Sequence, residues 1–374
     1  MKPDEITIAI RAQPLQIPFR TRFKHASAER KVSDSVWVTA TRGGLVGLGE
    51  GAPRAYVTGE SPAEALVWID GTARAWVATL PDLAALRALV VAQREVIDRH
   101  PAAWCAVELA LLDLFAQERG QTVEGLLGLA ELTGPFRYTA VLGDETGLKF
   151  SLLTLLYLAR GMRDFKLKLT TDQAQNLRTG KLFARLTRPF SGIRVRVDAN
   201  NAWGADTDGA IAALNEFRRD LPLFAVEEPL TAFAAQQQAA LGRALELPVI
   251  LDESLCRLAD FIPHEGDEAR WMANLRVSKL GGLLRALDCL AEAQRRGWGI
   301  VVGAQVGETS VLTRAALTLA QAAGPSLVAQ EGAYGTLLLA REVVAPVLQF
   351  GQAGRLGLGD VAGRPGWGLR EVAP

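Results

Sequence analysis

Cysteine is scarce in this chain, whose 374 residues include only Cys105, Cys256 and Cys289, none of them in a CxxC pair. The scattered positions argue against a zinc site and predict buried thiols. Net charge is absent as well, because 41 lysines and arginines balance 41 aspartates and glutamates. Such a balance offers no electrostatic attraction for nucleic acid or for an anionic membrane. We therefore expect neither as a partner.

Long apolar runs are also missing. No stretch approaches the ~20 apolar residues that a membrane-spanning helix requires. The N-terminal segment carries Asp4 and Glu5 and lacks the apolar run of a signal peptide. We expect a cytoplasmic protein. The composition, 49% hydrophobic and 22% charged, is that of a globular protein with a substantial core.

The first third of the chain mixes strand and helix patterns. Two segments, ITIAIRAQPL and SVWVTATRGGLVGLGEG, alternate in hydrophobicity, and Gly43-Gly44 predicts a hairpin turn within the second. A helix is predicted to begin at Pro101 and to end at Gly120. These patterns predict an α+β capping domain over residues 1–132, completed by the glycine-rich C-terminal tail, residues 347–374.

From Tyr138 onward, eight short apolar segments alternate with helical ones: YTAVLG, DFKLKL, IRVRVDAN, LFAVEEPL, PVILDES, NLRVSKLGG, GIVVGAQV and SLVAQEG. Five of them end in a charge, at intervals of 25 to 30 residues: Lys168, Asp198, Glu227, Asp252 and Lys279. An α/β chain of this period predicts a (β/α)₈ TIM-type barrel over residues 133–346, with its site at the C-terminal mouth of the strands. A doubly wound sheet would alternate similarly, but no GxGxxG or Walker A motif follows the first strand.

Three of the charged ends are carboxylates on consecutive strands, Asp198, Glu227 and Asp252. Around a barrel mouth they become neighbours, and their repulsion requires protons or a divalent cation. All-oxygen ligation with open positions suits Mg²⁺, with Mn²⁺ as an alternative. Each acid taken singly is more simply explained as a helix cap or a solvated charge. Three on successive strands favour a metal site.

DFKLKL places Lys166 and Lys168 on one face of a strand, because alternate side chains share a face. Lys279 is predicted to end the sixth strand, on the opposite side of the mouth from Lys168. A substrate between them would have an amine on each side of its reacting carbon. A lysine is a useful base near neutral pH only if its pKa is lowered from ~10.4, and the charge of Lys166 would lower the pKa of Lys168. The alternative, that Lys166 and Lys168 pair with the three acids, leaves Lys279 unexplained.

These residues suggest an enzyme that removes a proton from a carbon atom of a small-molecule substrate, with the metal stabilising the anion that forms. Two opposed lysines suit racemisation or epimerisation, and the same pair also serves cycloisomerisation or β-elimination. A Schiff-base aldolase is a second class, because barrels also place lysines at strand ends. A third is a non-catalytic barrel, although the intact set of charged residues argues against it.

The same motifs carry a resemblance to a known family. KLK at 166–168, VDANNAW, VEEPL, LDES and SKLGG resemble those of the enolase superfamily, and within it the muconate lactonizing enzyme subgroup. AVELALLDLFAQERGQTVEGLLG and GLGEGAPRAYVTGES are similar to parts of the family's capping domain, so the resemblance covers nearly the whole chain. It implies an isomerase that removes the α-proton of a small-molecule carboxylate substrate and forms an enediolate with Mg²⁺. It further implies three metal ligands and three catalytic lysines: Asp198, Glu227 and Asp252, and Lys166, Lys168 and Lys279.

In this family the lid loops and the ends of the seventh and eighth strands determine specificity. The corresponding candidates for substrate contacts are Tyr56, Glu308 and Glu331. Dipeptide epimerases of the family hold an ammonium group with an Asp-x-Asp, and Gly332 and Tyr334 stand at those positions here. We expect a racemase or epimerase of an amino-acid derivative, with a muconate cycloisomerase or o-succinylbenzoate synthase type of reaction as the alternative. We also expect a homo-oligomer.

Overall fold

The computed structural model describes residues 7–25, 28–143, 145–266 and 270–372. Its N-terminal part begins with five strands: β1 (Ala9–Leu15), β2 (Pro18–His25), β3 (Ala28–Val32), β4 (Ser35–Arg42) and β5 (Leu45–Gly51). An antiparallel sheet has the order β1-β4-β5, and β2 pairs with β3 as a separate hairpin. Gly43 and Gly44 both have positive φ and form the predicted turn between β4 and β5.

Helices follow these strands: α1 (Pro62–Trp68), α2 (Arg74–Val77), α3 (Leu83–Ala92), α4 (Arg94–Ile97), α5 (Pro101–Glu118) and α6 (Val123–Leu127). A π-helical turn, Ile69–Ala73, joins α1 to α2. The long helix α5 is buried along almost its whole length. As the sequence predicts, it begins at Pro101, and Gly120 follows its end with a φ of 63°.

Glycines at alternate positions of β5 allow α5 to lie directly on this strand. A Cβ added to Gly47, Gly49 or Gly51 would lie 1.9–2.0 Å from a carbonyl oxygen of α5. Two strand residues advance about 6.8 Å and four helix residues about 6.0 Å, so successive glycines meet successive helical turns.

Glu50 of β5 is held by a second contact. Its carboxylate accepts hydrogen bonds from Thr309 Oγ1 at 2.6 Å and from Thr309 N at 3.0 Å. The strand is thereby tied to a loop at the mouth of the barrel.

We expect Gly49→Ala to lower the free energy of unfolding by about 3 kcal/mol, because the added methyl group overlaps the backbone of α5. Urea denaturation followed by circular dichroism measures this change. Gly71→Ala is the matched control, since no atom lies within 4 Å of the Cβ it adds. Equal stabilities of the two variants would contradict the close strand–helix contact.

The second part of the chain supplies a sheet of eight parallel strands. After the short β6 (Phe136–Arg137) come β7 (Ala140–Leu142), β8 (Asp164–Lys168), β9 (Arg194–Asp198), β10 (Ala225–Glu227), β11 (Val249–Leu251), β12 (Trp271–Leu275), β13 (Gly299–Val302) and β14 (Leu327–Gln330). From β7 to β14, neighbours in sequence are neighbours in the sheet. The sheet curls until Thr139 N, just before β7, donates to Gln330 O of β14 at 2.8 Å. This is the TIM-type architecture that the sequence predicts.

Six helices lie between these strands: α7 (Gly147–Ala159), α8 (Gln173–Thr187), α9 (Thr207–Phe217), α10 (Ala235–Leu245), α11 (Leu283–Arg295) and α12 (Ser310–Ala323). A 3₁₀ segment, Leu258–His264, follows β11 in place of an α-helix, and Gly335–Leu337 follows β14 in the same way. The barrel is therefore a modified form of the regular (β/α)₈ pattern. Among the described residues, no helix is long and apolar enough to cross a membrane.

The sixth strand differs from its prediction. It spans Trp271–Leu275, whereas the motif NLRVSKLGG predicts a strand that ends at Lys279. Pairing with β13 runs only as far as Leu275 and Val302, and a turn follows. The prediction that Lys279 ends this strand is therefore wrong, and Arg276 is the first residue beyond it.

The C-terminal tail contains three short strands, β15 (Val344–Ala345), β16 (Arg355–Leu356) and β17 (Arg370–Glu371). β16 pairs with β6, and the Trp367 indole N–H donates to the carbonyl oxygens of Leu48 and Leu109, 3.1 and 3.2 Å away. The tail thus packs against the N-terminal sheet and α5. The division into domains at residue 132 stays a prediction. Cys105 and Cys289 are buried free thiols as predicted, and Cys256 is a half-buried one.

Candidate active site

Four of the predicted site residues lie together at the C-terminal ends of adjacent strands. Lys168, Asp198 and Glu227 are the last residues of β8, β9 and β10, and Asp252 directly follows β11. The strand register pairs Lys168 with Asp198 and Asp198 with Glu227. All three carboxylates are buried, with at most 1% of each residue exposed. The parallel sheet therefore brings residues distant in sequence to one edge.

Lys166 lies among these acids rather than in an apolar environment. Its Nζ is 3.3 Å from Asp198 Oδ2, 3.3 Å from Glu227 Oε2 and 2.8 Å from Glu331 Oε2. Burial lowers the pKa of Lys166, but the charges of Glu227, Glu331 and Asp198 outweigh burial and raise this pKa above its ordinary value. The same interaction holds the pKa of Asp198 below its usual range despite burial. Lys166 therefore bridges two of the three acids, as in the alternative that pairs the lysines with the acids.

Lys168 has a different environment from its neighbour two residues earlier. Its Nζ donates to Asn200 Oδ1 at 3.1 Å and lies 3.7 Å from Asp198 Oδ2. Burial lowers the pKa of Lys168; Asp198 raises it, and the positive charge of Lys166 lowers it again. The net direction is downward, which is the requirement for a lysine base. Asn200, with a φ of 44°, is a site residue that sequence reasoning missed.

Glu228 holds the backbone of Asp252 in place through hydrogen bonds, a role that the sequence did not reveal. Its Oε1 accepts hydrogen bonds from Asp252 N at 2.7 Å and Ser254 N at 2.8 Å. Its Oε2 accepts from Ser254 Oγ and Gln238 Nε2. This carboxylate thereby fixes the backbone just beyond β11. In the sequence, Glu228 stands out only as the second of the two acids in VEEPL.

Lys279 lies beyond the end of β12 rather than at it, and its amine is bound within the chain. The residue is fully buried, and its Nζ donates to Asp252 O at 2.6 Å, Asn274 O at 2.9 Å and Asp252 Oδ1 at 3.0 Å. An ammonium group has three donors, so these contacts use all of them. Burial lowers the pKa of Lys279, and the next largest influences come from Cys256 and Arg276 rather than from Lys168. Its contacts are those of a residue that joins β11 to the turn after β12.

We expect Lys279→Met to lower the free energy of unfolding by about 3 kcal/mol, because two buried carbonyl groups and a carboxylate lose a charged donor. Chemical denaturation measures the loss. Lys181→Met, at an exposed position of α8, is the matched control and should change stability by about 0.5 kcal/mol or less. A Lys279→Met protein of unchanged stability would contradict the structural role.

Arg276 takes the place at the mouth that the sequence assigned to Lys279. It directly follows β12, four strands from Lys168 in the sheet. One guanidinium nitrogen contacts Asp252 Oδ2, and another donates to Gln305 Oε1 at 3.2 Å. Its charge acts on both Lys168 and Asp198, whose pKa values it lowers. A guanidinium, rather than a second amine, therefore stands across from Lys168.

The three predicted substrate contacts have distinct environments. Glu331 is paired at both oxygens, with Lys166 at 2.8 Å and with Arg196 Nη2 at 2.5 Å. Glu308 Oε1 accepts a hydrogen bond from Gln305 N at 2.5 Å, and burial raises the pKa of Glu308 to about 8. Tyr56 is 38% exposed in the loop after β5. Substrate contact by these residues stays a prediction.

The donor set fits a divalent metal ion in its chemistry. Asp198, Glu227 and Asp252 offer buried carboxylate oxygens from adjacent strand ends, the ligands that Mg²⁺ and Mn²⁺ prefer. Within the described residues, no three His, Cys, Asp or Glu side chains stand close enough together to hold such an ion. The positive charges of Lys166 and Arg276 occupy positions beside these oxygens, as a cation would. A bound ion would therefore replace part of the positive charge that Lys166 and Arg276 now place beside these carboxylates.

Comparisons with known proteins identify the family of this chain. The family model for the enolase C-terminal domain-like fold matches residues 152–370. The chain belongs to the enolase superfamily. It is 30% identical over 336 residues to the L-Lys-D/L-Arg epimerase of Methylococcus capsulatus, covering 86% of this chain and 87% of that one.

Other members of the enolase superfamily extend the comparison. The chloromuconate cycloisomerase of a Pseudomonas species is 28% identical over 309 residues, which cover 82% of this chain and 79% of that enzyme. A crystal structure of the Methylococcus capsulatus dipeptide epimerase, complexed with Mg and the dipeptide L-Arg-D-Lys, has a TM-score of 0.81 and 27% sequence identity. It covers 97% of this chain, and this chain covers 99% of it. The predicted superfamily and the subgroup of muconate lactonizing enzymes are confirmed.

Proposed function

We propose that this enolase-superfamily chain is an Mg²⁺-dependent isomerase that removes the α-proton of a carboxylate substrate. Racemisation or epimerisation of an amino-acid derivative is the first candidate reaction, supported by similarity to an epimerase over 86% of the chain. The observation that carries the proposal is the position of Lys168 at the barrel mouth, with its Nζ 3.7 Å from the buried Asp198 carboxylate and its pKa lowered by burial. A cytoplasmic location and a homo-oligomeric state stay predictions.

Four kinds of contribution to the reaction come from residues at the barrel mouth: metal binding, proton removal, a fixed positive charge and orientation of the base. Asp198, Glu227 and Asp252 would hold Mg²⁺, which when bound supplies positive charge that stabilises the carboxylate of the substrate. The neutral amine of Lys168 accepts the α-proton, and the electron pair left on the carbon is delocalised into the carboxylate as an enediolate. Lys166 keeps its proton, because three acids surround it, and it contributes a fixed positive charge. Asn200 orients the Lys168 amine through its side-chain oxygen.

A second candidate reaction follows from Arg276. Racemisation needs a group on each side of the α-carbon that exchanges protons, whereas a cycloisomerisation or a β-elimination needs only one base. A guanidinium stays protonated in proteins and is a poor proton acceptor. Because Arg276 faces Lys168, the site also suits the cycloisomerase or lyase chemistry.

Solvent exchange tests the proposal directly. The protein is incubated in D₂O with Mg²⁺ and a panel of N-acylated amino acids, dipeptides and acid sugars, and deuterium at the α-carbon is followed by NMR spectroscopy. We expect at least one probe to exchange and EDTA to stop that exchange. Exchange that persists in EDTA, or a lysine adduct trapped by borohydride, would support a Schiff-base enzyme instead. A panel without any exchange would contradict the proposal.

A further inference from the structure

Two hydrogen-bond donors at the barrel mouth have no acceptor among the described residues. They are Arg276 Nε and Gln305 Nε2, and both atoms are buried. Gln305 is 2% exposed and lies in the loop after β13. A buried donor without a partner loses its hydrogen bonds to water and gains none in return, which destabilises the protein. Two such donors on contacting side chains therefore indicate a place where an acceptor atom from outside the chain binds.

The orientation of Gln305 follows from the chemistry of its neighbour. A guanidinium can only donate hydrogen bonds, so the oxygen of the Gln305 amide must face Arg276 Nη1, 3.2 Å away. The amide nitrogen is then directed elsewhere and keeps both of its hydrogens for another partner. The backbone N–H of Gln305 donates to Glu308 Oε1, which holds the loop in place. The arginine and the glutamine are thus a pair of contacting side chains, each with a buried donor left for another partner.

Arg276 and Gln305 lie on the opposite side of the barrel mouth from Lys168, the proposed base. Arg276 follows β12 and Lys168 ends β8, so the two residues stand four strands apart around the sheet. Arg276 also contacts Asp252 Oδ2, and its charge acts on Asp198. A molecule bound by the carboxylate cluster and reached by Lys168 would therefore present its other side to Arg276. Lys279 has no part in this contact, because its donors are used within the chain.

We propose that Arg276 and Gln305 bind oxygens of the substrate, carboxylate or carbonyl oxygens, on the side opposite Lys168. The inference rests on the proposed removal of an α-proton and refines it, because it assigns proton transfer to the Lys168 side alone. It favours a single-base reaction, the second of the two candidates. Arg276 acts as a fixed anion-binding group through its unpartnered Nε, because its other two nitrogens contact Asp252 and Gln305.

Oxalate, a small planar dianion similar in shape to an enediolate, is a suitable probe. Its affinity is measured by calorimetry in the presence of Mg²⁺ for the wild-type protein and for Arg276→Gln, Gln305→Leu and Arg270→Gln. We expect Arg276→Gln to weaken binding by about 10- to 100-fold and Gln305→Leu by about 5- to 10-fold, since charged donors contribute more than neutral ones. Arg270→Gln is the matched control, because Arg270 precedes the other end of β12 and donates to Gly242 O. It should bind within about twofold of wild type.

Two outcomes would overturn the inference: an oxalate affinity of Arg276→Gln within about twofold of wild type, or no oxalate binding by the wild-type protein. Exchange in D₂O supplies a second readout for matched enantiomers of any active probe. We expect one enantiomer to exchange at least about 100-fold faster than the other, because only one side carries a base. Equal rates would contradict proton transfer from a single side. A complete lack of exchange would contradict the proposed function, while the oxalate titration would still decide the role of Arg276 and Gln305.

Discussion

Lys168→Met is expected to reduce the rate of α-hydrogen exchange by about 10³-fold or more, the usual scale for a lost general base. Methionine has a similar length and no proton-accepting group, so the substitution removes the chemistry with little change of shape. The interactions of Lys166 with Asp198, Glu227 and Glu331 do not involve Lys168 and should persist. The measurement is deuterium incorporation into an active probe in D₂O, compared with that of the wild-type protein.

The dependence of exchange on pH supports the same assignment. A lysine base acts as the neutral amine, so the exchange rate should rise with pH and level off above the pKa of Lys168. Burial, together with the charge of Lys166, places this pKa below the ordinary value of 10.5. Lys181→Met, the exposed control on α8, should leave rate and profile unchanged. Wild-type exchange rates in Lys168→Met would remove this residue from the mechanism.

Asp198→Asn is expected to weaken Mg²⁺ binding by about 100-fold or more, because even the loss of a partner of a metal ligand costs about 10- to 100-fold. Asp198 and Glu227 lie side by side in the strand register, and Asp252 follows the next strand. Removal of one negative charge from this group also leaves Lys166 with less compensation. Calorimetric titration with Mg²⁺ measures the effect, and Glu227→Gln and Asp252→Asn should behave in the same way.

A matched control separates this effect from a general loss of negative charge. Asp220→Asn changes an exposed aspartate away from the strand ends and should leave Mg²⁺ affinity within about twofold of wild type. Circular dichroism of each variant checks that the barrel remains folded. Unchanged Mg²⁺ affinity in all three site variants would show that these carboxylates hold no metal.

The periodicity of the strands was sufficient to predict where several residues of this site lie. Alternation in DFKLKL and the charge that ends IRVRVD and LFAVE place Lys168, Asp198 and Glu227 correctly, because a parallel barrel aligns the carboxyl ends of its strands. The Gly43-Gly44 turn and the helix from Pro101 were also predictable, since each depends on local backbone preferences. Local chemistry and a regular period were sufficient for these features.

The sixth strand shows where sequence reasoning failed. NLRVSKLGG contains both Arg276 and Lys279, and only the spacing of Lys279 from Asp252 lies within the interval of the other strand ends, which favoured the wrong residue. The choice depends on where β12 ends, which its pairing with β13 at Leu275 and Val302 determines. A contact between residues 27 positions apart cannot be read from a local pattern. The ion pair between Lys166 of β8 and Glu331, which follows β14, could not be predicted for the same reason.

The central claim is that Asp198, Glu227 and Asp252 together bind one divalent cation beside Lys168. Anomalous diffraction from a crystal grown with Mn²⁺ tests it most directly. We predict a single peak at the barrel mouth, about 2.1 Å from an oxygen of each carboxylate, with the Lys168 amine on one side and the Arg276 guanidinium on the other. A map without a peak there, in which Lys166 still bridges Asp198 and Glu227, would contradict the account.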